Sequence, residues 1–400
     1  MTTYNFDKIT NRKGTNCLKY DFAVERGKPA DVLPLWVADM DFPVSEEITK
    51  SLHAAVEHGI YGYTQPKDAY YNAVMNWMER NHNWKTEREW IVKTPGVVFA
   101  LGAAVKAFTD PGDAILIQNP VYYPFTNIIR DNDRRVVDNT LIYEKTAGQS
   151  GDNGYRIDFE DFERKLEQEH IKLFILCNPH NPVGRVWTVE ELQKLGEICL
   201  RHHVTVVSDE IHNDFVYPGY EHTVFANVDP RFAEFTLTCT APSKTFNLAG
   251  LQISNIFIPN ENLRKAFKTE IDRTGYDEPN ALGVVACEAA YRAGEDWLDQ
   301  LRAYLLKNLN FLRDFLQEKL PQIHLVEPEG TYLVWLDCSE LGITGKELDQ
   351  FIVDKAGLWL DGGSMFGPSG AAFQRVNIAC PRATLELALN KLKAAVDNLK

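Results

Sequence analysis

Two hydrophobic periods alternate along the chain. Runs of consecutive apolar and β-branched residues read as buried strands: Trp90-Ile-Val-Lys93, Ala114-Ile-Leu-Ile-Gln118, Ile171–Cys177, Val204–Asp209, Phe235–Cys239 and Ile253–Ile258. Between them, apolar positions recur every three or four residues. Tyr70, Ala73, Val74, Trp77 and Met78 share one face of a helix over 70–81, and Val97–Ala107, Asp161–Glu169, Val189–His202 and Asn262–Arg273 also read as helices. Ser45 before Glu46 and Glu47 marks another helix start, with acids at the positive end of the dipole. Strand–helix–strand alternation predicts an α/β fold, a mostly parallel sheet covered by helices on both faces.

The C-terminal third changes character. Residues 283–319 read as one long helical region bridging two lobes. From Gly330 onward, the strands Thr331–Asp337, Leu358–Leu360 and Phe373–Ala379 mix with helices, as in a smaller α+β domain. Residues 1 to about 30 are polar and irregular, an arm expected to lie on the other lobe or on a partner subunit, and Tyr143–Asp158 reads as a polar surface excursion. The expected division is an arm with part of the small domain (1–45), a large domain (46–285) and a C-terminal small domain (286–400), since 400 residues exceed one simple core.

Composition narrows the function. A formal net charge of −14 argues against nucleic-acid or anionic-membrane partners. No apolar run approaches the roughly 20 residues of a membrane span, and Met1–Lys8 lacks the features of a signal peptide. The seven cysteines are scattered without metal-ligand spacing, and no metal is expected. A reducing cytoplasm is the simplest compartment.

The candidate chemistry centres on Ala241-Pro-Ser-Lys-Thr-Phe-Asn247. Lys244 stands among hydroxyls and apolar groups without an acidic sequence neighbour. Desolvation favours the neutral amine, which attacks carbonyls, as in a Schiff base with pyridoxal phosphate; the alternative is a loop lysine reaching solvent. Asp209 ends a buried strand, where open α/β sheets place ligand-binding groups; there it suits a pyridinium nitrogen, though it also suits a helix cap. Asn181, in Asn178-Pro-His-Asn-Pro182, suits a donor to the ring's phenolate oxygen. Gly96, Val97 and Val98 open a helix directly after a strand, presenting free N–H groups to a phosphate. Arg375 lies in an apolar strand, where a guanidinium needs an anion, either a ligand's or a protein carboxylate's. Asp39 and Asp41 read as turn-forming and capping groups.

The ordered motifs Leu35-Trp-Val-Ala-Asp-Met-Asp-Phe-Pro43, Tyr61-Gly-Tyr-Thr64, Ser208-Asp-Glu-Ile-His212 and Ala241–Asn247 resemble fold-type I pyridoxal-phosphate enzymes of the aminotransferase class I/II group. Within that group the chain is similar to the MalY/PatB-like cystathionine β-lyase (C–S lyase) branch, over essentially its whole length. The resemblance implies α,β-elimination of cystathionine or cysteine S-conjugates, in amino-acid metabolism and methionine biosynthesis. It implies Tyr122 stacked on the cofactor ring (or else a core or rim tyrosine), and His212 and Ser243 beside the cofactor. It places Trp36 and Asn181 at the substrate, with Arg375 gripping its α-carboxylate. It further implies a homodimer with shared sites, in which Tyr63 reaches the neighbour's cofactor phosphate. Aminotransferases of the superfamily usually carry tyrosine at His212, arginine at Gln252 and often serine at Ala241. These departures favour the lyase over an aminotransferase, and a regulatory role on the same scaffold is a third reading.

Overall fold

The computed structural model describes residues 2–145 and 153–399. Seven strands form the central sheet in the spatial order Ile91–Thr94, Ser254–Phe257, Thr236–Thr240, Thr205–Asp209, Leu173–Cys177, Ala114–Ile117 and Arg135–Asp138. Ser254–Phe257 runs antiparallel to both neighbours and the other pairings are parallel. The expected α/β architecture is therefore the one found. The inner strands are buried on both faces, as their unbroken apolar runs require.

The helices follow the sequence periods closely. Asp68–His82 buries Tyr70, Ala73, Val74, Trp77 and Met78, and Ser45 caps Glu46–His58 by accepting from the Ile48 N–H. Val97–Phe108 carries small and branched apolar residues and is packed between the sheet and the helix Glu261–Asp272.

The expected helical region over 283–319 is two helices, Ala281–Ala293 and Glu295–Lys319, parted at Gly294. A Cβ at Gly294 would lie 2.3 Å from Phe246 Cε1, so the break admits a ring that sits two residues beyond Lys244. A second sheet, His324–Val326, Leu333–Asp337, Phe373–Asn377 and Asp361–Gly362, lies wholly within 286–400, and the seven-stranded sheet lies wholly within 46–285.

The arm lies on the long helix, with the Phe6 ring against Trp297 and Tyr304. The excursion at 143–158 is not uniformly polar surface. Ile142–Tyr143 pairs with Tyr155–Arg156, Asn153 and Tyr155 are buried, and residues 146–152 lie outside the described residues. Asp39 and Asp41 are ion-pair centres rather than turn caps. Arg12 contacts both, at 2.6 and 2.8 Å, and the fully buried Lys19 sits 2.9 Å from Asp41. A lysine ammonium sealed from water requires this pairing, and it ties the arm to the segment that leads into the cleft.

Candidate active site

The site forms where the parallel strands end, at their carboxyl edge. Thr236–Thr240 runs into Ala241, still extended, and Pro242 then opens a single helical turn, Pro242–Thr245. Proline suits that first position because its missing N–H would have no partner there. Lys244 thus rises from the end of a central strand and is partly buried in the cleft. Burial pulls its ammonium down to about 8, a trend opposed by Asp39 and Asp209 and reinforced by Arg375. Its Nζ donates to the Ala38 carbonyl at 2.8 Å.

Ala38 is held in place from the same loop. Asn247, in the left-handed region at φ 58°, accepts from the Met40 N–H and donates to the Met40 and Phe42 carbonyls. Asparagine tolerates that backbone, and its amide matches both kinds of backbone group. The Tyr332 hydroxyl also donates to the Ala38 carbonyl, at 3.2 Å.

A cleft of about 160 Å³ opens beside Lys244. Gly96, Val97 and Val98 line one end, at the start of the helix Val97–Phe108. The first helical bond runs from the Ala100 N–H to the Gly96 carbonyl, so the preceding N–H groups are free for an anion. Ser243 lines the cleft too, as do Tyr122, Asn181, Asp209 and His212.

Asp209 ends its strand as expected. It is buried, and its carboxylate accepts from the Ile211 N–H at 3.2 Å. Burial raises its pKa to about 7, against the lowering effects of that bond and of Lys244. Burial drives His212 well below its usual range, so the ring is neutral, and its buried Nδ1 has no hydrogen-bond partner among the described residues. Burial likewise keeps the Tyr122 hydroxyl protonated.

Arg375 and Trp36 stand behind Asn181. Arg375 is buried, and donates from Nη1 to Asn181 Oδ1 at 3.0 Å and from Nη2 to the Trp36 carbonyl at 2.9 Å. Nη2 also meets Asp361, and the guanidinium lies over the Phe366 ring at 4.9 Å. The protein-carboxylate reading of Arg375 is therefore the one present here. Trp36 stacks on Trp359 with ring centroids 4.5 Å apart. Tyr63 is 95% exposed and does not line this chain's cleft.

Sequence reasoning missed Tyr332 and Asp361. Tyr332 sits in an apolar strand run that reads as core, and its role depends on a contact with Ala38, far away in sequence. Asp361 had a signal, a lone acid directly after the apolar Leu358-Trp-Leu360. Its register opposite Arg375 becomes visible only in the sheet.

Residues 30–392 match the family described as Aminotransferase class I and II. The chain belongs to this family. The class I and II chain is 47% identical to cystathionine β-lyase PatB of Bacillus subtilis (strain 168), covering 98% of its own length and 100% of that relative. It superposes on cystalysin from Treponema denticola, which contains a pyridoxal 5′-phosphate cofactor, with a TM-score of 0.95 and 38% identity over 100% of both chains. The PLP-bound C–S lyase from Staphylococcus hominis gives a TM-score of 0.91 at 36% identity, covering 99% of this chain and 98% of that one.

Proposed function

We propose that the protein is a pyridoxal-phosphate-dependent C–S lyase. It would convert cystathionine or related cysteine S-conjugates, with water, to a thiol, pyruvate and ammonia. The observation that carries the reading is that Lys244, held near 8, and the buried Asp209 line one cleft together with the start of the helix Val97–Phe108.

These residues fit the cofactor. The N–H groups at 96–98 and Ser243 would hold the phosphate. Asp209 has no cationic hydrogen-bond partner among the described residues, so it would face the ring nitrogen and keep a proton there. Asn181 and His212 would flank the ring, Tyr122 would pack on it, and Tyr63 of a second copy would complete the phosphate site of a homodimer. When bound, pyridoxal phosphate supplies a carbonyl for the substrate amine and an electron sink for the charge left at Cα.

The remaining steps belong to the chain. Arg375 binds the α-carboxylate and, with Trp36 and Asn181, orients the substrate. Lys244 Nζ, already inclined to the neutral form, takes the Cα proton and then returns it to the departing sulfur. Asp209 is buried and Lys244 partly so, which limits the access of water to either proton. The homocysteine product suits methionine biosynthesis, and the free cysteines support a reducing cytoplasm.

Product analysis tests the reading. The purified protein should be yellow and should release pyruvate and homocysteine from L-cystathionine without a keto-acid acceptor. Turnover that requires 2-oxoglutarate and yields glutamate would make it an aminotransferase instead.

A further inference from the structure

Asp361 and Arg375 face each other in register on neighbouring strands, Asp361–Gly362 and Phe373–Asn377, and both are buried. Their contact decides which part of the guanidinium a ligand can reach.

A guanidinium grips a carboxylate with two parallel N–H bonds along one of two edges. The end-on edge uses Nη1 and Nη2, and the side-on edge uses Nε and Nη2. Both edges need Nη2. In this structure Nη2 donates to the Trp36 carbonyl and to Asp361, which accounts for both of its N–H groups. Nη1 gives one N–H to Asn181, and Nε, although buried, has no partner among the described residues. The free donors are therefore on Nε and Nη1, which share no edge. A two-pronged grip on a ligand carboxylate has to displace one acceptor from Nη2.

The Trp36 carbonyl cannot readily move. Its ring is stacked on Trp359, and Leu35, its neighbour, is bonded to Trp359 and to Asn377 through both backbone groups. Asp361 holds Nη2 through its side chain, so its release moves no backbone hydrogen bond. Burial raises the Asp361 carboxyl above its ordinary range, with Arg375 opposing the rise and Asp349 adding to it.

We propose that Asp361 is an internal stand-in for the substrate's α-carboxylate, occupying the Nη2 edge of Arg375 until a carboxylate ligand takes its place. This rests on the reading of Arg375 as the carboxylate-binding residue. Asp361 acts through Arg375, so it is a positioning residue. It neutralises a buried cation in the empty site, and it weakens the apparent affinity of every carboxylate ligand by the fraction of molecules in which the edge is covered.

The test titrates the yellow holoenzyme with L-alanine, which has no leaving group, and with ethylamine, the same amine without a carboxylate, following visible absorbance. Asp361→Asn should tighten L-alanine by about ten-fold or more while leaving ethylamine within about two-fold. For cystathionine the same variant should lower KM more than it changes kcat. Asp361→Glu, which keeps a carboxylate, should not tighten L-alanine. Weaker L-alanine binding in Asp361→Asn, or equal shifts for both amines, would overturn the proposal.

Should Asp361→Asn fail to fold, a crystal structure of the wild-type holoenzyme with L-alanine decides the matter. Nη2 should bond the ligand carboxylate with Asp361 turned away, and an intact Asp361–Nη2 contact overturns the proposal. If these results hold while cystathionine is not cleaved, only the lyase reading fails.

Discussion

Lys244 and Ala38 meet across the mouth of the cleft, the lysine Nζ 2.8 Å from the alanine carbonyl oxygen. The bond joins the end of a central strand to a segment that precedes the large sheet in sequence. It gives the partly buried amine one neutral acceptor, and no carboxylate lies within ion-pair distance among the described residues. Desolvation therefore outweighs the distant pull of Asp39 and Asp209, and the amine is held near 8.

That displacement has a signed consequence for the cofactor-free protein. An unfolded lysine keeps its proton up to about 10.5. Between pH 8 and that value the unfolded chain holds more protons than the folded one, so folding stability rises with pH. Below pH 8 the wild type carries the full penalty, which amounts to ~3 kcal/mol. Lys244→Met should therefore be more stable than the wild type by about that amount at pH 7, with the gap closing toward pH 10.5. Urea unfolding of both proteins across pH measures it, and a gap that is constant with pH would contradict the assignment.

Asp209 should show the opposite slope. Its folded value near 7 exceeds the unfolded carboxylate value, so its contribution is fully present at low pH and is lost as pH rises through 7. Asp209→Asn in the cofactor-free protein should gain on the wild type by up to ~4 kcal/mol between pH 4 and 7. In the loaded enzyme the same change should cut kcat by about 100-fold or more, because the ring nitrogen loses its charged partner. A variant that loses stability in the empty protein, or keeps full activity when loaded, would remove Asp209 from this role.

The strands and most helices were legible because each buried face imposes its own period, and the strand ending at Asp209 shows how far that reaches into the site. The run Val204–Asp209 signals burial, and its terminal acid marks the sheet edge where ligands bind. Lys244 was legible for a related reason, a charged residue in a stretch with no counter-charge. Asp361 was not, because its meaning depends on register with Arg375. Asp39 and Asp41 were misread because their partners, Arg12 and Lys19, lie in a segment without a regular period. The break at Gly294 was missed because it answers to the Phe246 ring, a contact that no local pattern encodes.

Gly196 offers a check on packing away from the site. It lies inside the helix Val189–Arg201, where an added Cβ would stand 2.1 Å from Phe232 Cε2. Alanine normally favours a helix over glycine, so intrinsic propensity alone predicts a gain. The clash with a fully buried ring should win, making Gly196→Ala less stable by about 1–3 kcal/mol with cleft chemistry unchanged at low temperature. Thermal unfolding that shows a higher midpoint would mean that Phe232 yields freely.

Tyr63 supports the last prediction. Its ring is 95% exposed in the single chain, an unusual state for a large aromatic side chain, and neighbouring Tyr61 is 59% exposed. Yet it belongs to one of the motifs that mark the resemblance, and among the described residues the cleft end proposed for the phosphate is lined by Gly96, Val97, Val98 and Ser243, with no arginine. If the loop crosses to a second copy, each cleft takes Lys244 from one chain and Tyr63 from the other. Tyr63→Phe homodimers should then bind the cofactor about 10-fold more weakly, the loss of one hydrogen bond to a charged group. At a cofactor concentration low enough to leave Tyr63→Phe sites largely empty, mixing these chains with inactive Lys244→Ala chains should restore activity, because a hybrid dimer contains one site with both residues intact. Each hybrid restores one of its two sites, so a statistical mixture should recover about a quarter of wild-type activity per total site. Sedimentation showing a dimer, together with this recovery, is the expected result. A fully active monomer, or mixtures that never exceed the sum of the separate variants, would leave Tyr63 outside the active site.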